Sequence, residues 1–201
     1  MSRAALKPKA CRICKRTFVP ISSMAKVCSV PCSLELVRQD KARKEARAKR
    51  EERKSLRDRM EKAKTRRQWI AECQVVVNKV ARLRDALAGH GCISCGSHPK
   101  HRYGGAIDAG HFRSVGNAPH LRFFLPNISA QCKKCNRDLG GAHSDYRVGL
   151  IERYGIEFVD RIEAMQGDGK WSVDYLKRLK RVMSKKARRL ERRIEEKSES
   201  K

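Results

Sequence analysis

The chain has 201 residues, with 48 Lys or Arg against 22 Asp or Glu and a net charge of +26. Charged residues make up 35% and aromatics only 5%, too little apolar bulk for one large core, so small metal-stapled modules joined by helices are expected. The charge points to a polyanionic partner, DNA or RNA, and no apolar run approaches the ~20 residues that span a bilayer.

The N-terminus lacks the apolar region of a signal peptide. The basic stretches lack the Trp/Phe/Leu-rich face of a membrane-surface helix. A soluble, cytoplasmic protein with no membrane partner is expected, in a reducing compartment where paired cysteines bind metal more often than they form disulfides. Eight of the nine cysteines fall into pairs. Cys73 stands alone in an apolar-rich helical stretch and reads as a small buried hydrophobe.

In chain order, residues 1–35 form the first module. Its first ten residues are basic and expected to fray. Cys11, Cys14, Cys28 and Cys32 follow the pattern C-x₂-C-x₁₃-C-x₃-C, which suits a closed tetrahedral zinc site. Phe18, Val19 and Pro20 supply the core of a short hairpin. Four protein ligands leave no open position, so this knuckle is structural rather than catalytic. It binds DNA or a protein partner, or simply caps the next helix.

Residues 36–88 contain neither Gly nor Pro. Lys41 to Arg67 is rich in Lys, Arg, Glu and Ala, a composition that favours helix. Glu45–Lys49 and Asp58–Lys62 are its acid-first (i, i+4) pairs. From Trp69 to Leu87 apolar residues recur at helical spacing, which predicts an amphipathic helix packed on the next module or on a second chain. Gly89 and Gly91 end it.

Residues 89–145 carry the chemistry. Cys92, Cys95, Cys132 and Cys135 have the spacing of two knuckles that close a second Cys₄ zinc site. A turn at Gly104-Gly105 and two strands are expected between them. One runs from Ala106-Ile107 to His111-Phe112, the other is Leu121–Leu125, and a helix starts at Cys135. Phosphodiester hydrolysis needs a base, a cation and a held phosphate. His111 is a competent base, with a reference pKa of about 6.5. Mg²⁺ prefers oxygen ligands and keeps several waters, so Asp108 and Asn136 suffice as protein ligands. Asn127 can orient the imidazole. Arg113 and Arg137 flank the site as phosphate clamps, whereas His90, His98, His101 and His120 read as surface or DNA-facing groups.

Residues 146–201 are basic helices. Ser144 is expected to cap a helix ending at Tyr154, before Gly155. Ile156 to Met165 forms a second helix, and Ser172 caps a third, with Trp171 and Leu176 as a hydrophobic staple. Val173, Leu176, Leu179, Met183, Leu190 and Ile194 make its apolar stripe. Its other face, with Lys177, Arg181, Lys185 and Arg188 among eight basic residues, is a phosphate-contact surface. The fold class is α+β, mostly helical, with a zinc-pinned ββα-metal module and a small N-terminal zinc knuckle.

The central segment resembles the HNH, or His-Me finger, endonucleases. His111, Asn127 five residues before Cys132, and Asn136 directly after Cys135 reproduce that order and spacing. Asn in the last position is shared with the endonuclease VII group of junction resolvases. The whole chain resembles the lambdoid-phage NinG (Rap) family, through Asp-Ala-Gly-His-Phe-Arg-Ser, Ala-Pro-His-Leu-Arg-Phe, Gln-Cys-x-x-Cys-Asn-Arg and Tyr-Arg-x-Gly-Leu, up to about residue 155. The resemblance implies a phage-encoded endonuclease in the bacterial host cell, acting in homologous recombination. It would cut branched double-stranded DNA (Holliday junctions and D-loops), use Mg²⁺ or Mn²⁺ for catalysis beside two structural zincs, and work with phage or host recombination proteins.

One departure stands out. Many HNH enzymes carry an acidic residue or His immediately before the catalytic His, and here that residue is Gly110. On a regular strand Asp108 faces away from His111. A bulge at Ala109-Gly110 would turn it inward, and Asp145 or His143 would otherwise complete the metal site. Symmetric junction cutting needs two active sites, so a homodimer is expected. The alternative is a non-catalytic zinc-containing protein that binds nucleic acid.

Overall fold

The computed structural model describes residues 6–98 and 106–199. The expected Gly104-Gly105 turn, His101 and the terminal residues 1–5 and 200–201 lie outside them. The chain divides after Ala63 into two compact units.

In the first unit β1 (Lys9–Ala10) pairs antiparallel with β2 (Thr17–Phe18), Lys9 opposite Phe18 and Ala10 opposite Thr17. The hairpin carries Cys11 and Cys14 on its turn. The backbone N–H of Arg12 donates to the Lys26 carbonyl at 3.1 Å and ties the hairpin to the segment bearing Cys28. Helix α1 (Val30–Ala63) follows, with Pro31 in its first turn, where its missing N–H is harmless. None of its 34 residues is buried. Ala, Arg, Lys and Glu sustain it by intrinsic propensity rather than by packing. The ion pairs it makes are Glu35–Arg38 and Arg47–Glu51, not the expected Glu45–Lys49 and Asp58–Lys62.

With no Gly or Pro to mark a break, α2 (Arg66–Ala88) starts afresh at a capping box. The Gln68 N–H donates to Thr65 Oγ1 at 3.3 Å, and the Thr65 N–H donates to Gln68 Oε1 at 2.8 Å. A Thr-x-x-Gln box ends one helix and begins another without Gly or Pro. Gly89, with φ 77°, closes α2 in the left-handed conformation.

The second unit is built on α2. Strands β3 (Ile107–His111) and β4 (Ile128–Cys132) pair antiparallel and without interruption, from Ile107 opposite Cys132 to His111 opposite Ile128. The second strand is therefore not Leu121–Leu125. Pro119 and Pro126 start short 3₁₀ turns at Pro119–Leu121 and Leu125–Asn127, and a proline cannot donate to a ladder. A single wide turn of helix, Lys134–Asp138, follows β4. Then come α3 (His143–Tyr154), α4 (Ile156–Ala164) and α5 (Val173–Glu199). Ser144 lies inside α3 rather than capping it. The cap position is Ala142, at φ 43°, with no side-chain hydrogen bond. Ser172 does cap α5, its hydroxyl accepting from the Tyr175 N–H at 3.2 Å.

Two apolar layers sandwich the hairpin. On one side Trp69, Cys73, Val77 and Ala81 of α2 meet Ile128, Phe123 and Leu176. On the other, Ile93, Phe112 and Leu121 meet Tyr146, Leu150, Val159 and Ile162. The α2 stripe thus has two partners, the hairpin and α5. Cys73 Sγ donates to the Leu176 carbonyl, Lys79 pairs with Glu191, and Lys197 reaches the Leu87 carbonyl. These contacts advance together along both helices, so α2 and α5 run parallel. The architecture is α+β, mostly helical, with two small sheets. No helix among the described residues is long and apolar enough to cross a membrane.

Candidate functional site

The cysteines come first, because they fix the ends of the hairpin. Cys92, Cys95, Cys132 and Cys135 bring four sulfurs within 4.8 Å of one another, and so do Cys11, Cys14, Cys28 and Cys32. All are free thiols. Sγ separations of 3.5 Å (Cys14–Cys28), 3.8 Å (Cys28–Cys32) and 3.8 Å (Cys95–Cys132) are far beyond the ~2.05 Å of a disulfide. They are close to the ~3.8 Å edge of a tetrahedron with ~2.3 Å Zn–S bonds. Crowded sulfurs resist ionising together. Cys14 beside Cys28 pushes that thiol up to about 11, whereas the Ser97 hydroxyl, 3.1 Å from Cys95, holds that one near 6. A dication resolves this conflict, and the soft S₄ donor set suits zinc.

His111 closes β3, and its Nε2 lies 3.2 Å from the Arg122 carbonyl oxygen. A carbonyl only accepts, so this shorter of the two polar contacts to Nε2 favours the tautomer with the proton on Nε2 and the lone pair on Nδ1. Burial pulls the imidazole pKa below its ordinary value, with the Arg122 charge acting in the same direction and the carbonyl against it. The ring is therefore neutral at neutral pH, the state a general base needs. Gln74 of α2 backs the ring, its Nε2 3.4 Å from His111 Nε2 and 2.7 Å from Asn78 Oδ1. A cleft of about 440 Å³ opens beside the ring, lined by His111, Arg113, Ser114, Asn117, Gly141 and His143. His143 stacks on Phe112 at 4.6 Å between centroids.

Asn127 is fully buried, and its side-chain hydrogen bonds go to the backbone rather than to the imidazole. Its Oδ1 accepts from the Arg113 N–H at 2.8 Å, and its Nδ2 donates to the carbonyls of Arg113 (3.0 Å) and Leu121 (3.4 Å). One amide thus clamps both ends of the 113–121 loop. The loop's next residue, Arg122, offers the carbonyl that favours this His111 tautomer. Asn127 thus bears on the His111 ring only at one remove.

Asp108 and Asn136 come together, Asn136 Nδ2 donating to Asp108 Oδ2 at 3.0 Å. Arg137 binds both carboxylate oxygens, at 2.7 and 2.9 Å. Its guanidinium, with lesser help from Asn136, holds the Asp108 carboxyl below the usual range. The regular register leaves no bulge at Ala109-Gly110, so Asp108 lies on the sheet face opposite His111, which it shares with Gly110. The bulge that would turn Asp108 toward His111 is absent. The geometry also accounts for the glycine. A side chain at 110 would collide with the Gln131 side-chain oxygen, Oε1, which is buried without a hydrogen-bond partner among the described residues. Asp108 already carries its counter-cation, and a hard divalent cation would take its oxygens only by displacing Arg137 and the Asn136 N–H.

Arg113 Nη1 donates to the carbonyls of Glu163 (2.7 Å), Met165 (3.0 Å) and Ile162 (3.4 Å) and caps the end of α4. His120 is engaged there as well, Nε2 3.0 Å from the Met165 carbonyl. Lys177, Arg181, Lys185 and Arg188 are exposed on α5, with no carboxylate between Tyr175 and Leu190.

Sequence reasoning missed the frame behind the site. Asp85 is buried, accepting from Arg84 Nε (2.8 Å), Arg153 Nη1 (3.2 Å) and the Ala130 N–H (2.7 Å). Arg84 also donates to the carbonyls of Leu125 (2.9 Å) and Ile128 (2.8 Å). The available signal was a carboxylate set four residues after Ala81 on an apolar stripe.

The chain matches the family model described as the bacteriophage lambda NinG protein over residues 3–195. It is 35% identical to protein ninG of Escherichia phage 933W over 191 residues, 90% of this chain and 92% of that one. To protein ninG of Escherichia phage lambda it is 39% identical over 127 residues, 63% of this chain and 59% of that one. Protein ninG of Salmonella phage P22 is 39% identical over 127 residues, 63% of this chain and 60% of that one. No solved structure matches the chain. The chain belongs to the NinG family of lambdoid phage proteins.

Proposed function

We propose that the protein is a metal-dependent, structure-selective endonuclease that cuts branched DNA in phage recombination. One observation carries the reading. His111 Nε2 lies 3.2 Å from the Arg122 carbonyl oxygen, which favours a lone pair on Nδ1, and His111 lines the cleft; both support it as the base. The HNH-like spacing of His111, Asn127 and Asn136 supports it.

The exposed basic face of α5 holds the phosphate backbone with little sequence preference. His111 Nδ1 takes a proton from water. The water oxygen bonds to phosphorus as the bond to the 3′ oxygen breaks, leaving a 5′-phosphate and a 3′-hydroxyl. Asp108 and the Asn136 amide would hold Mg²⁺ or Mn²⁺, and Arg137 would leave the carboxylate to meet a phosphate instead. The cation, when bound, stabilises negative charge on the phosphate and the leaving oxygen. Two chains, each with one site, would cut a junction symmetrically.

A second reading, a zinc-bearing nucleic-acid-binding protein without catalysis, is favoured by the two Arg137 bonds to Asp108. Incubation with an end-labelled four-way junction, with and without Mg²⁺ or Mn²⁺, separates the two. Metal-dependent cuts near the branch support the nuclease. Tight binding without cuts in either metal supports the second reading.

A further inference from the structure

The cysteine unit of residues 6–34 has an unexplained tip. The chain between Phe18 and Cys28 turns at Ser22–Ala25, where the Ala25 N–H donates to the Ser22 carbonyl at 3.1 Å. The Lys9 ammonium fastens the same turn from β1, donating to the Ser23 carbonyl at 3.0 Å. The turn is thus held at two points, yet it presents apolar side chains to solvent. Ile21 is 101% exposed, Met24 84% and Val19 65%. A knuckle this small needs every apolar side chain it has for its own core. Three of them, turned outward on a fastened turn, mark a contact surface.

Charge decides the partner. Residues 6–34 contain six Lys or Arg and no Asp or Glu. The surface stays positive even with four thiolates and a dication counted. Lys9 sits at the turn, and Lys26 and Arg12 are joined by a backbone hydrogen bond at its base. An apolar tip on a unit with six cations and no carboxylate matches the chemistry of a wedge, in which aliphatic side chains enter a base step while the cations hold the flanking phosphates. Intact duplex hides its base faces, whereas a branch point exposes them at no further cost in unstacking. We propose that Ile21 and Met24 form a wedge that packs on the unstacked base faces at a DNA branch, so that the N-terminal unit recognises the branch. The inference deepens the endonuclease reading by giving branch selection to a unit apart from the His111 cleft.

The test is competition binding of full-length protein, without added Mg²⁺ or Mn²⁺, to a four-way junction and to linear duplex of the same sequence. Wild type is compared with the double variant Ile21→Ser, Met24→Ser and with a conservative control, Ile21→Leu, Met24→Leu. Zinc content is measured for each, to show that the knuckle is intact. The expected result is a fall in junction preference of about tenfold in the serine variant, the scale of withdrawing two partly buried aliphatic side chains. Duplex affinity and zinc content should be unchanged, and the leucine variant should behave as wild type. A 2-aminopurine at the branch should change fluorescence with wild type and not with the serine variant.

An unchanged junction-to-duplex ratio overturns the proposal, as does a wild type without junction preference. A variant that keeps the ratio but alters the sedimentation coefficient also overturns it, and makes the tip a protein contact instead. Because cutting is not read, the two proposals fail separately. A protein that selects branches through Ile21 and Met24 but never cuts upholds the wedge alone.

Discussion

At the scale of single residues, His111 and Asn127 divide the work of presenting one lone pair. His111 supplies the nitrogen, and the Arg122 carbonyl favours Nδ1 as the one that carries it. Burial lowers the His111 pKa, and a base must be neutral to act. On the proposed endonuclease reading, activity falls only as pH drops through that lowered value. The acid limb of kcat/KM on a cleavable DNA is expected to have its midpoint below about 6.5, and a midpoint above it would contradict the buried ring. Asn127 is tested by stability rather than by rate. Asn127→Ala leaves the Arg113 backbone groups and the Leu121 carbonyl without their partner. A loss of about 1–3 kcal/mol for each group left unpaired in the interior is expected, read from urea unfolding by tryptophan fluorescence. Both tryptophans, Trp69 and Trp171, lie in the α2–α5 unit. A midpoint within error of wild type would remove the clamp from this account.

At the scale of elements, the hairpin is set by α2 through an ion network in the interior. Asp85 joins Arg84, Arg153 and the backbone of β4 with hardly any access to water. Removing one member of a buried charge network leaves the others uncompensated. Asp85→Ala is expected to destabilise this unit by about 3–5 kcal/mol. A change below about 1 kcal/mol, the scale of an exposed pair, would show that the network does not hold β4. The helices were legible in the sequence because their signals are local: the Trp69–Leu87 stripe, Gly89 after it, and Ser172 before α5. Those that failed were also local, but of lower contrast. Thr65 and Gln68 start a helix inside a charged run that has neither Gly nor Pro to mark the break. Leu121–Leu125 looks like a strand by composition, yet Pro119 and Pro126 turn it into 3₁₀ turns, and the strand is Ile128–Cys132. The site's framework was less legible because it depends on distant pairs. Nothing near Arg113 in sequence says that it caps α4, and nothing near Gly110 says that Gln131 fills its space.

At the scale of the whole molecule, a basic chain with few aromatics is organised by two clusters of four cysteines and one parallel helix pair. Each cluster has sulfur separations that fit a zinc tetrahedron. Elemental analysis of the native protein is expected to give two zincs per chain. Chelation should release them with loss of the folded N-terminal unit, which has two two-residue strands and little other core. One zinc per chain or none would remove the paired-site description. The central claim is that His111 is the base of a DNA-cutting site. Its most direct test is the single-turnover cleavage rate of a labelled four-way junction in Mg²⁺, for wild type and for His111→Ala at protein concentrations that saturate binding of each. The account predicts equal binding and a rate lowered by about 10²–10⁴ in the variant. A variant that binds the junction and cuts it at the wild-type rate would contradict it.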